Sequence, residues 1–228
     1  MALNESKGQM YSWVTHTWNT IKGECPHGCS YCYMKRWGKQ KPVHFDEKEL
    51  KTDLGSGNFI FVGSSCDMFA YDIPEKWILD TLSYCESFYK NKYLFQTKNP
   101  HGIINYENYF PQDSVICTTI ETNRFYPEFM GNSPDPELRA SQMHYLNKWE
   151  KYVTIEPIMD FDLDELVRFI KLCHPNQVNI GADSGNNNLP EPPKEKILEL
   201  IYELEKFTII DKKRNLNRIL NKQVCVGI

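Results

Sequence analysis

Residues 23–38 read GECPHGCSYCYMKRWG and bring Cys25, Cys29 and Cys32 onto one short stretch. Spacing of the form C-x3-C-x2-C lets three thiolates converge on a single inorganic centre. A structural zinc site normally takes four ligands, from paired C-x-x-C units or from one such unit with distant histidines. His27 is the nearest other donor, and its place between two of the cysteines makes it a poor fourth ligand. A [4Fe-4S] cluster normally takes four cysteines as well. Three would leave one iron without a protein ligand, open to a small molecule. On spacing alone, zinc and an iron-sulfur cluster both remain open.

Directly after the cysteines, YMKRWGKQK interleaves Lys35, Arg36, Lys39 and Lys41 with Tyr33 and Trp37. Aromatic rings stack on bases while cations meet phosphates, so this segment suits a nucleotide or nucleic-acid substrate. The same pattern also suits aromatics that pack the loop beside solvated cations. Of the other cysteines, Cys85 and Cys173 fall in helical patterns and Cys117 in a strand, the places of small buried hydrophobes. Cys225 carries no comparable signal. The tail DKKRNLNRILNK, with Lys212, Lys213, Arg214, Arg218 and Lys222, reads as a solvated helix face, with phosphate contact as the alternative.

The elements that must position these groups follow from hydrophobic patterning. Short apolar, β-branched or aromatic runs at 59–63, 93–97, 115–120, 152–157 and 177–181 predict buried strands, and 13–18 predicts an earlier one. Helical spacing covers 74–90, 136–152, 162–173 and 192–207, with Pro74 and Pro136 in first turns and Asp162 or Asp164 at a helix start. Alternation of this kind predicts an α/β fold of parallel strands joined by crossover helices, with about six strands, fewer than the eight of a closed barrel. Gly55-Ser56-Gly57 and Asn186-Asn187-Asn188 read as loops. We expect a single domain over 1–228, with 208–228 as a C-terminal extension.

In such sheets ligands gather beyond the C-terminal strand ends. That rule selects Gly63, Ser64, Ser65, Cys66 and Asp67, then Gln96, Thr97 and Lys98, then Thr119, Glu121 and Asn123, then Glu156, and last Asp183 and Ser184. Each charged residue in this set could instead form a structural ion pair.

Composition sets the outer bounds. Hydrophobic residues make up 41% and charged residues 25% of the 228 residues, which predicts a folded protein with a sizeable core. The N-terminal stretch has no signal-peptide pattern, and no run approaches the roughly 18 apolar residues of a spanning helix, so a cytoplasmic protein without membrane contact is expected. A reducing compartment favours metal binding or catalysis over disulfides for clustered thiols. The net charge of −4 excludes a globally basic nucleic-acid binder but leaves room for a local basic groove.

The segment C-P-H-G-C-S-Y-C, with Tyr31 just before the third cysteine, resembles the C-x3-C-x-aromatic-C signature of the radical S-adenosylmethionine (SAM) superfamily. The segments WNTIKGECPHGCSYCYMKRWG, VGSSCDMFAYDIPEKWI, YLFQTKNP, TTIETNR, YVTIEPIMDFDLDEL and VNIGADSGNNN occur in the order seen in a compact, phage-associated radical SAM-like family that is distantly similar to spore photoproduct lyase. The resemblance implies a partial (β/α)6 TIM-like barrel in which Cys25, Cys29 and Cys32 hold a [4Fe-4S] cluster. It implies that SAM chelates the open iron and that Tyr31 lies against the adenine. Further SAM contacts would come from Gly63, Ser64, Ser65, Asp67, Lys98, Thr119, Glu121 and Glu156. Where radical SAM proteins often carry a Gly-Gly-Glu-like segment for the SAM amino group, this chain has Gly63-Ser64-Ser65-Cys66-Asp67.

Cys66 would stand where a thiol can return a hydrogen atom to a product radical. Lys35, Arg36, Trp37, Asp183 and Ser184 would meet the substrate. The implied partners are a flavodoxin- or ferredoxin-like one-electron donor and a nucleobase in DNA or a nucleotide, with rearrangement or decoration of a hypermodified thymine as the task. Modification of a peptide or small metabolite is the rival, and a non-enzymatic iron-sulfur or zinc module is the third reading.

Overall fold

A computed structural model describes residues 3–221. The strands are β1 (Asn4–Glu5), β2 (His16–Trp18), β3 (Ile21–Lys22), β4 (His44–Phe45), β5 (Phe59–Val62), β6 (Lys92–Thr97), β7 (Ser114–Thr119), β8 (Glu150–Ile155), β9 (Gln177–Ile180) and β10 (Ile209–Lys212). The helices are α1 (Glu75–Glu86), α2 (His101–Ile104), α3 (Pro127–Met130), α4 (Pro136–Tyr145), α5 (Leu163–Cys173), α6 (Lys194–Leu204) and α7 (Asn217–Leu220). Eight strands form one sheet in the order β1-β2-β5-β6-β7-β8-β9-β10, parallel throughout except for the antiparallel edge pair β1–β2. The parallel order agrees with the alternation of strands and helices and with the partial TIM-like barrel that the resemblance implies, while β1 and β10 carry the sheet beyond the six strands expected.

Side chains alternate between the two faces of each strand. On one face Ile60, Val62, Phe95, Ile116, Val153, Ile155 and Val178 pack into the main core with Ile78, Leu82, Leu166, Ile170 and Ile197 from the crossover helices. On the other face Phe61, Leu94, Val115, Cys117 and Tyr152 form a second cluster, closed by Tyr11 and Val14 from the N-terminal segment. Strands buried on both faces read as continuous apolar runs, which is why they stood out in the sequence. The small β3–β4 ladder pairs Ile21 with Phe45 and Lys22 with His44, and so brackets the cysteine loop.

Three expectations change. The helix expected over 136–152 ends at Tyr145, because residues from Glu150 onward pair in register with β7 and belong to the sheet. Of the strand expected at 13–18, only His16–Trp18 pairs with β5. Within the stretch expected as a C-terminal extension, β10 pairs with β9 and completes the sheet. Lys222 and Cys225 lie outside the described residues. Among the described residues no helix is long and apolar enough to cross a membrane.

Phe95, fully buried, stacks edge-on against Phe110 at 4.9 Å between ring centroids and also meets Phe69 and Tyr93. Phe95→Ala should lower the unfolding free energy by about 3–5 kcal/mol, the range for an aromatic deleted from a packed core. Urea denaturation monitored by circular dichroism measures it.

Candidate active site

The cysteine loop is fastened to the segment that follows β7. Ser30 N donates to Phe129 O at 2.8 Å, Asn132 N donates to His27 O at 2.7 Å, and Asn132 Nδ2 donates to Pro26 O at 3.1 Å. The Cys29 sulfur lies 3.4 Å from the Met130 carbonyl. Gly131 has φ +60°, and a Cβ there would lie 2.2 Å from His27 O, so only glycine permits this approach. The seam therefore depends on a residue type as well as on hydrogen bonds.

Under the loop sits a buried charge network. Glu121 and Arg139 are both 0% exposed, and Arg139 Nη1 donates to Glu121 Oε2 at 2.7 Å. Arg139 also donates through Nε to Pro134 O at 2.6 Å and through Nη1 to Thr119 O at 2.9 Å. The other carboxylate oxygen, Glu121 Oε1, accepts from Tyr31 Oη at 2.5 Å and from Lys98 Nζ. Burial raises the Glu121 carboxyl, but the charges of Arg139 and Lys98 override it and hold the group well below the usual carboxylate range. Burial, reinforced by this carboxylate, pushes the Tyr31 hydroxyl up, so it remains a proton donor.

The loop after β5 is a second support. Gly63, at φ +76°, turns the chain, and Asn19 Oδ1 accepts from Ser65 N at 2.9 Å and from Ser64 Oγ at 3.2 Å. Asp67 accepts from Phe69 N, Thr97 Oγ1 and Lys98 N at 3.0, 2.9 and 2.8 Å, and its Oδ2 lies 2.8 Å from His27 Nε2. Burial raises Asp67 while His27 lowers it, with a net downward shift. The neighbouring Cys66 thiol holds the Cys25 thiol below its ordinary range, against the opposing effect of burial.

These elements surround a cavity of about 950 Å³, lined by Cys25, Cys29, Cys32, Tyr31, Gly63, Ser64, Ser65, Asp67, Lys98, Thr119 and Glu156. Lys35, Arg36, Trp37, Asp183 and Ser184 also line it. The cavity matches the upper end of ordinary cofactor pockets. Two candidates are placed elsewhere. Glu121 lies behind the wall with both oxygens engaged, so it supports Tyr31 and Lys98 rather than facing a ligand. Cys66 is 2% exposed in the main core and does not line the cavity, because Cys66 N returns to Gly63 O at 3.3 Å and the tight turn carries the side chain inward.

Other candidates reach the cavity with part of their bonding used. The Asp67 carboxylate is already engaged by four groups. Asp183 closes its own loop through Gly185 N and the Asn187 amide groups. Asn123 pairs instead with Asp162. Sequence reasoning missed Asn19 and Arg139, and also Tyr11 and Thr154, which line the cavity and share a hydrogen bond of 2.7 Å. Only the position of Arg139 within a helix that turns out to be buried could have signalled it.

The donor set fits an iron-sulfur cluster with one open iron. Three thiols on one loop face the cavity, while the fourth nearby thiol, Cys66, does not. Ser65 Oγ and His27 Nδ1 are buried at the wall with no hydrogen-bond partner among the described residues, so they have capacity for a bound group. Among the described residues no three His, Cys, Asp or Glu side chains gather closely enough to hold a metal ion. Thiolates bound to separate corners of a cluster do not share one centre as zinc ligands do.

The family model described as "Protein of unknown function (DUF5131)" matches residues 9–194. No curated protein matches the chain. Spore photoproduct lyase complexed with dinucleoside spore photoproduct is similar in structure, with TM-score 0.65 and 11% identity over 89% of this chain and 78% of that one. A spore photoproduct lyase mutant with bound AdoMet and dinucleoside spore photoproduct gives TM-score 0.55 and 10% identity over 90% of this chain and 66% of that one. Streptococcus suis SuiB bound to precursor peptide SuiA gives 0.57 and 10% over 86% of this chain, which spans 48% of SuiB.

Gly131→Ala should cost about 1–3 kcal/mol for the left-handed backbone alone, with the contact to His27 O in addition. It should also reduce iron bound per chain after anaerobic reconstitution. Arg139→Met should cost about 3–5 kcal/mol, because it leaves Glu121 buried with its main partner gone. Denaturant unfolding of both variants measures these effects, and adding Glu121→Gln to Arg139→Met should recover part of the loss.

Proposed function

We propose that this chain, which belongs to the DUF5131 family, is a radical SAM enzyme acting on a nucleobase within DNA or a nucleotide. The observation that carries the reading is the arrival of three cysteines, and not the fourth nearby one, at a cavity beyond the C-terminal ends of parallel strands. Both spore photoproduct lyase and SuiB, which share the fold, are radical SAM enzymes. When bound, a [4Fe-4S] cluster with SAM would supply one-electron reductive cleavage of SAM and, through it, hydrogen-atom abstraction from the substrate.

Cys25, Cys29 and Cys32 hold the cluster. The unpartnered Ser65 hydroxyl, with the second lone pairs of the Gly63 and Ser64 carbonyls, would accept from the SAM ammonium, while Lys98 would attract its carboxylate. Tyr31 and Thr119 border the adenosine. Glu121, Arg139 and Asp67 keep these groups in place from behind. Electrons come from a flavodoxin- or ferredoxin-like donor.

The rim favours a phosphate-bearing substrate. Lys7, Lys35, Arg36 and Lys39 line the opening, and none pairs with a carboxylate among the described residues. Trp37 stands beside them 72% exposed, available to stack on a base. The chain thus concentrates cations locally despite its net negative charge. Within this class we favour rearrangement or decoration of a modified thymine in phage DNA.

Anaerobic reconstitution with iron and sulfide, followed by SAM and dithionite, should release 5′-deoxyadenosine. Stoichiometric zinc with no cluster spectrum would sink the enzyme reading. Alanine at Cys25, Cys29 or Cys32 should abolish both cluster absorbance and SAM cleavage. For the substrate, mass spectrometry of DNA nucleosides from cells with and without active protein should reveal a changed base; unchanged DNA alongside a modified peptide would move the assignment to peptide chemistry.

A further inference from the structure

The cysteine loop covers the β5–β7 side of the cavity, and the β8–β10 side carries polar groups, Glu156 among them, that the cluster and SAM contacts proposed above leave unused. Glu156 follows β8 and Lys213 follows β10, and both line the cavity with Tyr11 from the N-terminal segment. Lys213 Nζ donates to Glu156 Oε2 at 2.5 Å and lies 4.6 Å from the centroid of the Tyr11 ring. Asn215 Nδ2 donates to Glu156 Oε1 at 2.7 Å and to Ala182 O at 2.8 Å. The Lys213 and Glu156 side chains are only 9% and 17% exposed. Tyr11 is held in turn by Gln96 Oε1 at 2.8 Å and Thr154 Oγ1 at 2.7 Å.

Gly181 shows that the arrangement depends on close fit. A Cβ at that position would lie 2.6 Å from Glu156 Oε1, so a larger residue would push the carboxylate out of place. The pair is electrically neutral, whereas the rim is cationic. A phosphate is therefore drawn to the rim, and the inner wall favours an uncharged group. An ammonium has three N–H donors and a carboxylate about four acceptor sites. Lys213 uses one donor on Glu156, and Glu156 accepts one bond at each oxygen. A free donor and a free acceptor thus remain side by side.

Their complement is a planar group with a carbonyl and an N–H on the same edge. A lactam or imide ring has that edge, while a trans peptide bond directs its carbonyl and N–H to opposite sides. Guanine and thymine both present that edge; resting on the thymine reading above, we propose that Lys213 and Glu156 form a base-recognition subsite that reads the carbonyl and N3–H edge of a pyrimidine, with Asn215 and Tyr11 as positioning residues.

The test is anaerobic calorimetry on the reconstituted, SAM-loaded protein, with thymidine 5′-monophosphate and its N3-methyl analogue as probes. The unmodified nucleotide should bind at least about tenfold more tightly, since the methyl group removes a donor that a buried acceptor needs. Lys213→Met and Glu156→Gln should each bring that ratio close to one. Glu156→Gln keeps an acceptor for Lys213 and thus preserves the fold if Lys213→Met does not. Equal binding of the two probes by the unaltered protein, failure to bind either, or undiminished discrimination in folded Glu156→Gln would overturn the subsite, as would preference for a short peptide. Release of 5′-deoxyadenosine by the unaltered protein is scored separately. Its absence overturns the enzyme reading, whereas normal release without probe discrimination overturns only the subsite.

Discussion

The buried Glu121 carboxylate is the constraint on which the site depends. Removing such a group from water costs several kcal/mol, and the cost is offset only where every lone pair meets a donor in good geometry. Arg139 supplies one side, and Tyr31 and Lys98 the other. Arg139 is buried too, and its further bonds to Pro134 O and Thr119 O tie it to the chain around β7 and α4. Moving the cysteine loop would withdraw Tyr31 and expose this imbalance. The position of the three thiols is therefore coupled to a charge network that does not itself face the cavity.

A second dependency runs through the small loops. Gly131 lets the segment after β7 approach the His27 carbonyl, while Gly63 turns the chain beside the thiols. Asn19, at the end of β2, binds the following loop through Ser64 and Ser65. Loops anchored in this way can hold ligands on a rigid sheet without becoming regular elements. The terminal segments complete the enclosure: Tyr11 closes the inner face, and β10 brings Lys213 to Glu156.

Much of the architecture was legible because strands buried on both faces leave continuous apolar runs, as at 93–97 and 115–120. The β10 strand was not, since its residues IIDK are partly exposed at a sheet edge and mix with a basic tail. The end of α4 was also misplaced, because residues 146–152 keep apolar spacing compatible with a helix until pairing with β7 claims them. Among the site candidates, strand-end position identified Lys98, Thr119 and Glu156 as cavity residues. It could not reveal that Glu121 points behind the wall or that Cys66 turns into the core.

The sequence by itself determined that three thiols share one loop, because covalent spacing keeps Cys25, Cys29 and Cys32 together in any compact fold. It also determined that apolar strands alternate with amphipathic helices, since that periodicity is local. Only the tertiary structure decided which charges meet. Glu121 finds Arg139 across 18 residues and Tyr31 across 90, and Glu156 finds Lys213 across 57, through sheet order and side-chain direction. Those contacts depend on desolvation and donor geometry at a distance, which residue type and spacing do not encode locally.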